Sequence, residues 1–155
     1  MYRTLEANNK YLANTVTQEM DSEDLQKTPS ESVNQPTVLI VDDDPQVRES
    51  LRLLMQSIDM HVETFSSGDD FLANYRAHDR DCLVVDVHMP GISGIELLER
   101  LDKDHFEIPT IVISGYRDPQ VEQRARELGV LEFVKKPFDP KHLLSLIQDV
   151  FSVAD

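Results

Sequence analysis

The stretch TVLIVDDDPQVRESLRLLMQSI (37–58) decides the fold. Its first five residues are apolar or β-branched, as suits a strand covered on both faces. Three aspartates, Asp42, Asp43 and Asp44, then end the apolar run. Asp44-Pro45 reads as a helix start: the carboxylate accepts hydrogen bonds from orphan N–H groups, and proline's missing N–H costs nothing in the first turn. Val47, Leu51, Leu54 and Ile58 next fall at i, i+4, i+7 and i+11, one stripe of a helix. A strand, an acidic turn and an amphipathic helix in succession make one βα unit.

Moving outward, the unit recurs. HVETF (61–65), CLVV (82–85), TIVI (110–113) and VLEFV (130–134) read as four further strands. Helices are expected over 45–58, 69–76, 95–103, 119–128 and 140–151. Asp118-Pro119 and Asp139-Pro140 repeat the start signal, and Gly129 reads as a helix stop. Five βα units predict an α/β sandwich: a doubly wound, five-stranded parallel sheet with five flanking helices. No period of 20–50 residues repeats, which excludes a solenoid. In such sheets a ligand lies beyond the carboxyl ends of the strands, where the strand order reverses.

Residues 1–36 are different in kind. They are rich in Asn, Gln, Ser, Thr and Glu, bury too little to offset their ordering entropy, and read as a flexible extension before a domain over 37–155. Leu5, Leu12, Val16 and Met20 fall near one face of a short helix, which would suit docking to a partner or a second copy. The chain of 155 residues carries 15 Lys+Arg against 29 Asp+Glu, a net charge of −14. The extension holds 3 basic and 6 acidic residues, so the acidity belongs to the domain. That excess argues against direct nucleic-acid binding and against docking on anionic lipid. One cysteine, Cys82, excludes an intrachain disulfide and any multi-cysteine metal site, and it reads as a small buried filler. The first residues lack a signal-peptide pattern and no apolar run is long enough to cross a bilayer, so a cytoplasmic protein is expected.

The residues that follow each strand carry the chemistry. Asp42, Asp43 and Asp44 follow the first, Asp86 the third, Ser114 and Gly115 the fourth, and Lys135, Lys136 and Pro137 the fifth. The second offers only Ser66 and Ser67. One rim of the sheet thus gathers carboxylates, a hydroxyl and an ammonium. Crowded carboxylates raise one another's pKa unless a cation neutralises them, and oxygen-only ligands with room for water suit Mg²⁺. A lysine beside them can pair with a carboxylate or with an incoming anion. The set describes a place where a small anionic group meets an aspartate beside Mg²⁺, and phosphoryl transfer is the matching chemistry. Which aspartate is the nucleophile stays open on these grounds.

VLIVDDD (38–44), LVVDVHMPGISGIELL (83–98), IPTIVISGY (108–116) and EFVKKPF (132–138) together resemble the receiver domain of two-component response regulators, closest to the FixJ-like subgroup. The resemblance covers about Thr37 to Phe151. It implies a flavodoxin-like sheet of order 2-1-3-4-5. It implies that Asp86 accepts a phosphoryl group from a phosphohistidine of a histidine kinase or phosphotransfer protein, with Asp42, Asp43, Asp86 and the backbone carbonyl of His88 around Mg²⁺. Ser114 and Lys136 would bond phosphoryl oxygens, Phe133 would be the switch aromatic beside Ser114, and the Lys136-Pro137 bond would be cis. His88 and Tyr116 occupy positions that tune acyl-phosphate lifetime; large side chains there are expected to hinder an attacking water. The family is not an enzyme class in the usual sense. It signals through a downstream protein target, with a homodimer contact expected at the last two helices and fifth strand. Two alternatives are a pseudo-receiver binding module, against which the complete residue set argues, and the receiver fragment of a DNA-binding regulator. A small phosphatase is disfavoured because Val87 and His88 follow Asp86 where a D-x-D acid/base partner would stand.

Overall fold

A computed structural model describes residues 35–153. The expected docking stripe of Leu5, Leu12, Val16 and Met20 lies outside them. Five strands, β1 (Thr37–Val41), β2 (His61–Phe65), β3 (Asp81–Asp86), β4 (Thr110–Ser114) and β5 (Glu132–Lys135), alternate with five helices. These are α1 (Pro45–Gln56), α2 (Gly68–Asn74), α3 (Gly94–Lys103), α4 (Pro119–Glu127) and α5 (Pro140–Val153). All strand pairs are parallel, in the order β2-β1-β3-β4-β5. This is the expected doubly wound sheet, and its order reverses between β1 and β3.

The period of two divides the core. Leu39, Val41, Leu83, Val85 and Val112 face one side, with Phe71 and Tyr75 from the α2 region, Leu97, Leu98 and Leu101 of α3, and Ala125 of α4. Val38, Ile40, Val84, Ile111 and Ile113 face the other, under Leu51 and Met55 of α1 and Leu143, Ile147 and Phe151 of α5. Central strands β1, β3 and β4 are buried throughout, which is why their sequences do not alternate. Cys82 is fully buried, and burial, with the charge of Asp81, pushes its thiol up to about 12. Among the described residues no helix is long and apolar enough to cross a membrane.

The proline-marked starts hold: Asp44, Asp118 and Asp139 accept from the N–H groups of Gln46, Gln120 and Lys141 at 2.9, 2.9 and 3.0 Å. Ser67 and Ser93 cap the other two helices, accepting from Asp70 and Glu96. Some element ends depart from expectation: α2 ends at Asn74 instead of Arg76, Tyr75 being already extended, and β5 begins at Glu132 instead of Val130. Gly129 takes φ +82°, and the Val130 N–H turns back to the Ala125 carbonyl at 3.2 Å, so Val130 closes α4 instead of entering the sheet. The first helix likewise stops short of 58, because Met60 donates back to the Met55 carbonyl across Asp59 at φ 60°.

Candidate functional site

The strand-order reversal places the carboxyl ends of β1 and β3 side by side, with Val41 opposite Val85. Asp42 and Asp86 therefore leave adjacent strands at the same level. Both are nearly excluded from water, at 0% and 5% exposure, while Asp43 is exposed. Carboxylate oxygens of Asp42, Asp43 and Asp86 all lie within 4.8 Å of one another. The sequence-predicted acidic cluster is assembled, and Asp44 is excluded from it by its capping role.

Lys136 reaches into this group from the loop after β5. Its Nζ donates to Asp42 Oδ2 at 2.9 Å and lies 3.5 Å from Asp86 Oδ2. Burial pulls the ammonium down, but the two carboxylates, Asp42 before Asp86, outweigh it and hold its pKa above the usual value. Asp86 is raised chiefly by burial and next by the charge of Asp42. Lys136 and the His88 backbone N–H oppose that rise. One ammonium among three carboxylates leaves the pocket short of positive charge. The all-oxygen donor set fits Mg²⁺, with Asp42, Asp43 and Asp86 the residues that would hold it.

Two further residues support the pocket, and only the second is marked in the sequence. Arg48, on the first turn of α1 facing the pocket, donates from Nη1 to the Asp42 backbone carbonyl at 2.6 Å. It thereby fixes the peptide that carries both metal-type carboxylates; the apolar stripe beginning at Val47 says nothing of its charged neighbour. Gly94 is the second. A Cβ there would stand 2.3 Å from the Asp86 carbonyl oxygen, so only glycine lets α3 start this close to β3. The spacing of Gly94 after Asp86 was part of the resemblance, and the close approach is its physical content.

Ser114 ends β4 beside the pocket and is 1% exposed. Its Oγ donates to the Tyr116 carbonyl at 2.9 Å and accepts from the Tyr116 N–H at 3.1 Å, so the hydroxyl is engaged with its own loop. His88 and Tyr116 are both exposed, with rings edge to face and centroids 5.0 Å apart above this loop. Phe133 is half-buried against the core face that holds Val112. The Lys136-Pro137 peptide is cis. A cleft of about 330 Å³ opens beside His88, between Ser93, Ile95 and the Asp118–Val121 end of α4.

Comparisons with known proteins point the same way. Residues 38–148 match the response regulator receiver domain family. The transcriptional regulatory protein TdiR of Thauera aromatica is 38% identical over 74% of this chain and 50% of its own length. FixJ of Azorhizobium caulinodans is 39% identical over 72% and 53%. The chain thus spans about half the length of the curated relatives it matches. Among solved structures, the response regulator StyR superposes with TM-score 0.72 at 42% identity, covering 77% of this chain and 60% of that one. The crystal structure of FixJ-N gives 0.68 at 34% identity, covering 76% and 94%. Strand order, the carboxylate pocket and these matches agree: the chain belongs to the response regulator receiver domain family, with its likeness falling in the FixJ-like group.

Proposed function

We propose that Asp86 accepts a phosphoryl group from the phosphohistidine of a histidine kinase or phosphotransfer protein. The observation that carries this reading is the placement of Asp86: buried, raised in pKa, and flanked by Lys136 and by two further carboxylates. A carboxylate oxygen of Asp86 attacks phosphorus, the phosphorus–nitrogen bond breaks, and the donor histidine leaves as neutral imidazole once its ring is protonated. Bound Mg²⁺ supplies charge neutralisation at the phosphoryl oxygens. Asp43 and Asp42 would hold it, with the His88 backbone carbonyl as a further ligand. Lys136 exchanges its contact with Asp86 for a phosphoryl oxygen while keeping Asp42. Ser114 has one hydroxyl proton, so bonding the phosphoryl group requires it to release the Tyr116 carbonyl. That release repositions the 114–118 loop, and the half-buried Phe133 shifts with it.

The paired rings of His88 and Tyr116 slow the approach of a hydrolytic water to the phosphorylated Asp86. The modified domain then binds a protein target, with a homodimer contact through α4, β5 and α5. Exposed Leu131, just ahead of β5, suits that contact, whereas Arg124 of α4 is already paired within the chain to Glu99 and Glu127. A cytoplasmic setting, with an extension over 1–36 ahead of the domain, completes the reading. The relatives named transcriptional regulatory proteins favour a second version, in which this receiver serves a DNA-binding regulator. Acetyl phosphate or beryllofluoride with Mg²⁺ tests the core of the reading. A saturable change in native-gel mobility or NMR shifts, lost in Asp86→Asn, is the expected result; an equal response in that variant would refute it.

A further inference from the structure

A second group of titratable side chains gathers at the amino ends of the strands, opposite the acidic pocket. His61 opens β2, Asp81 opens β3, and His78 lies in the loop between α2 and β3. Glu63 Oε1 stands 3.1 Å from His78 Nε2 and 3.7 Å from His61 Nε2. His61 and Glu63 are i and i+2 on an edge strand, so both side chains leave the same face. The two imidazoles are edge to face with centroids 6.3 Å apart.

The other nitrogen of His78 is equally engaged. Its Nδ1 lies 3.0 Å from Asp81 Oδ1. Asp81 is 4% exposed and accepts from the Tyr75 hydroxyl at 2.6 Å and the His78 backbone N–H at 2.9 Å. A buried, fully bonded carboxylate thus sets the orientation of His78 and leaves Nε2 aimed at Glu63. That is the arrangement by which a carboxylate orients a metal-ligating histidine. A simple ion-pair clamp would need neither the second imidazole nor the i, i+2 pair.

We propose that His61 Nε2, His78 Nε2 and the Glu63 carboxylate form a second cation site, for Zn²⁺ or a similar borderline divalent ion, with Asp81 positioning His78. Two nitrogens and one oxygen suit such an ion and disfavour Mg²⁺. Three protein ligands leave a fourth tetrahedral position to water. With metal–nitrogen distances of about 2 Å, two imidazoles on one tetrahedral ion have centroids about 5 Å apart. Two nitrogens on such an ion stand about 3.3 Å apart, whereas those of His61 and His78 are more than 4.8 Å apart, so His61 has to swing inward by at least about 1.5 Å, for which its side chain, 50% exposed, has the solvent room. The ion would tie edge strand β2 to the loop that leads into β3.

The groups facing His78 are Glu63 and His61 from β2, Asp81 from β3 and, behind Asp81, Tyr75 at the end of α2. The test is calorimetric titration of the untagged full chain with Zn²⁺ in excess Mg²⁺ at neutral pH. One equivalent should bind, unchanged in Asp43→Asn and weakened at least about tenfold in His61→Ala. The idea is overturned by equal affinity in His61→Ala and the parent, by loss of the site in Asp43→Asn, or by no heat at about 100 µM Zn²⁺. Because the readout is independent of Asp86, its failure leaves the phosphoacceptor reading intact.

Discussion

Asp86 is held against its own charge. Its carboxyl is raised above its ordinary value by burial and by Asp42, so ionising it costs more in the native state than in the unfolded chain. Above the unfolded pKa of about 4, ionised Asp86 therefore subtracts from stability, and the penalty is present at neutral pH. Asp86→Asn should raise the melting temperature at pH 7.5 in EDTA, by the few degrees that about 1 kcal/mol gives a domain this size. Mg²⁺ should raise the parent's melting temperature more than the variant's. A variant that melts lower than the parent would show that Asp86 is paired well enough to be stabilising. His78 has the opposite sign. Its raised pKa means the imidazolium stabilises the fold fully below the unfolded value of about 6.5, and that stability is lost as pH rises through about 10. Urea midpoints in the absence of metal should fall across that window in the parent and stay flatter in His78→Gln, which lacks about 2 kcal/mol of charge-assisted bonding at neutral pH.

Elements were most legible where one residue type does one job. Proline after aspartate marked three helix starts because the carboxylate accepts from an orphan N–H and the proline removes one, and all three carboxylates do cap. Ser67 and Ser93 cap equally well but have no proline after them, and serine is too common to stand out. Helix ends were legible only at Gly129. Asp59, His105 and Gly129 all adopt left-handed φ, of 60°, 60° and 82°, and the next N–H turns back to the carbonyl five residues earlier in each case. The same closure is thus built three times, twice with residues whose Cβ resists it. His105→Gly should then stabilise the protein by about 1 kcal/mol, relieving that resistance at an exposed position. Denaturant melts measure it, and a loss of stability would mean that the His105 side chain makes a compensating interaction. Of the pocket, Asp42, Asp43, Asp86, Ser114 and Lys136 were legible because each ends a strand. Arg48 was not, since a contact to a backbone carbonyl leaves no signature in composition, and Gly94 was legible only as spacing, its 2.3 Å approach to the Asp86 carbonyl being visible in the structure alone.

At the scale of the whole molecule, the net charge of −14 governs how salt acts on stability. The acidic pocket accounts for only part of it: three carboxylates share one lysine there, and among the described residues most of the other acids lie outside the core, on helices, caps and loops. Folding compresses this charge, and compact like charge repels itself. Salt has two opposed effects. It weakens exposed ion pairs such as Arg124 with Glu99, which contribute little in water. It also screens the repulsion, whose range is set by a Debye length falling to about 8 Å at physiological ionic strength. With 29 acids against 15 bases, repelling pairs outnumber attracting ones, so screening of repulsion wins. The urea midpoint in EDTA should rise between 20 and 200 mM KCl by the equivalent of about 1 kcal/mol, with the slope unchanged. The rise should persist in Asp86→Asn, because it belongs to the surface and not to the pocket. A midpoint that falls with KCl would place the stability of this fold in its ion pairs, and a rise confined to the parent would place the strain in the three-carboxylate site alone.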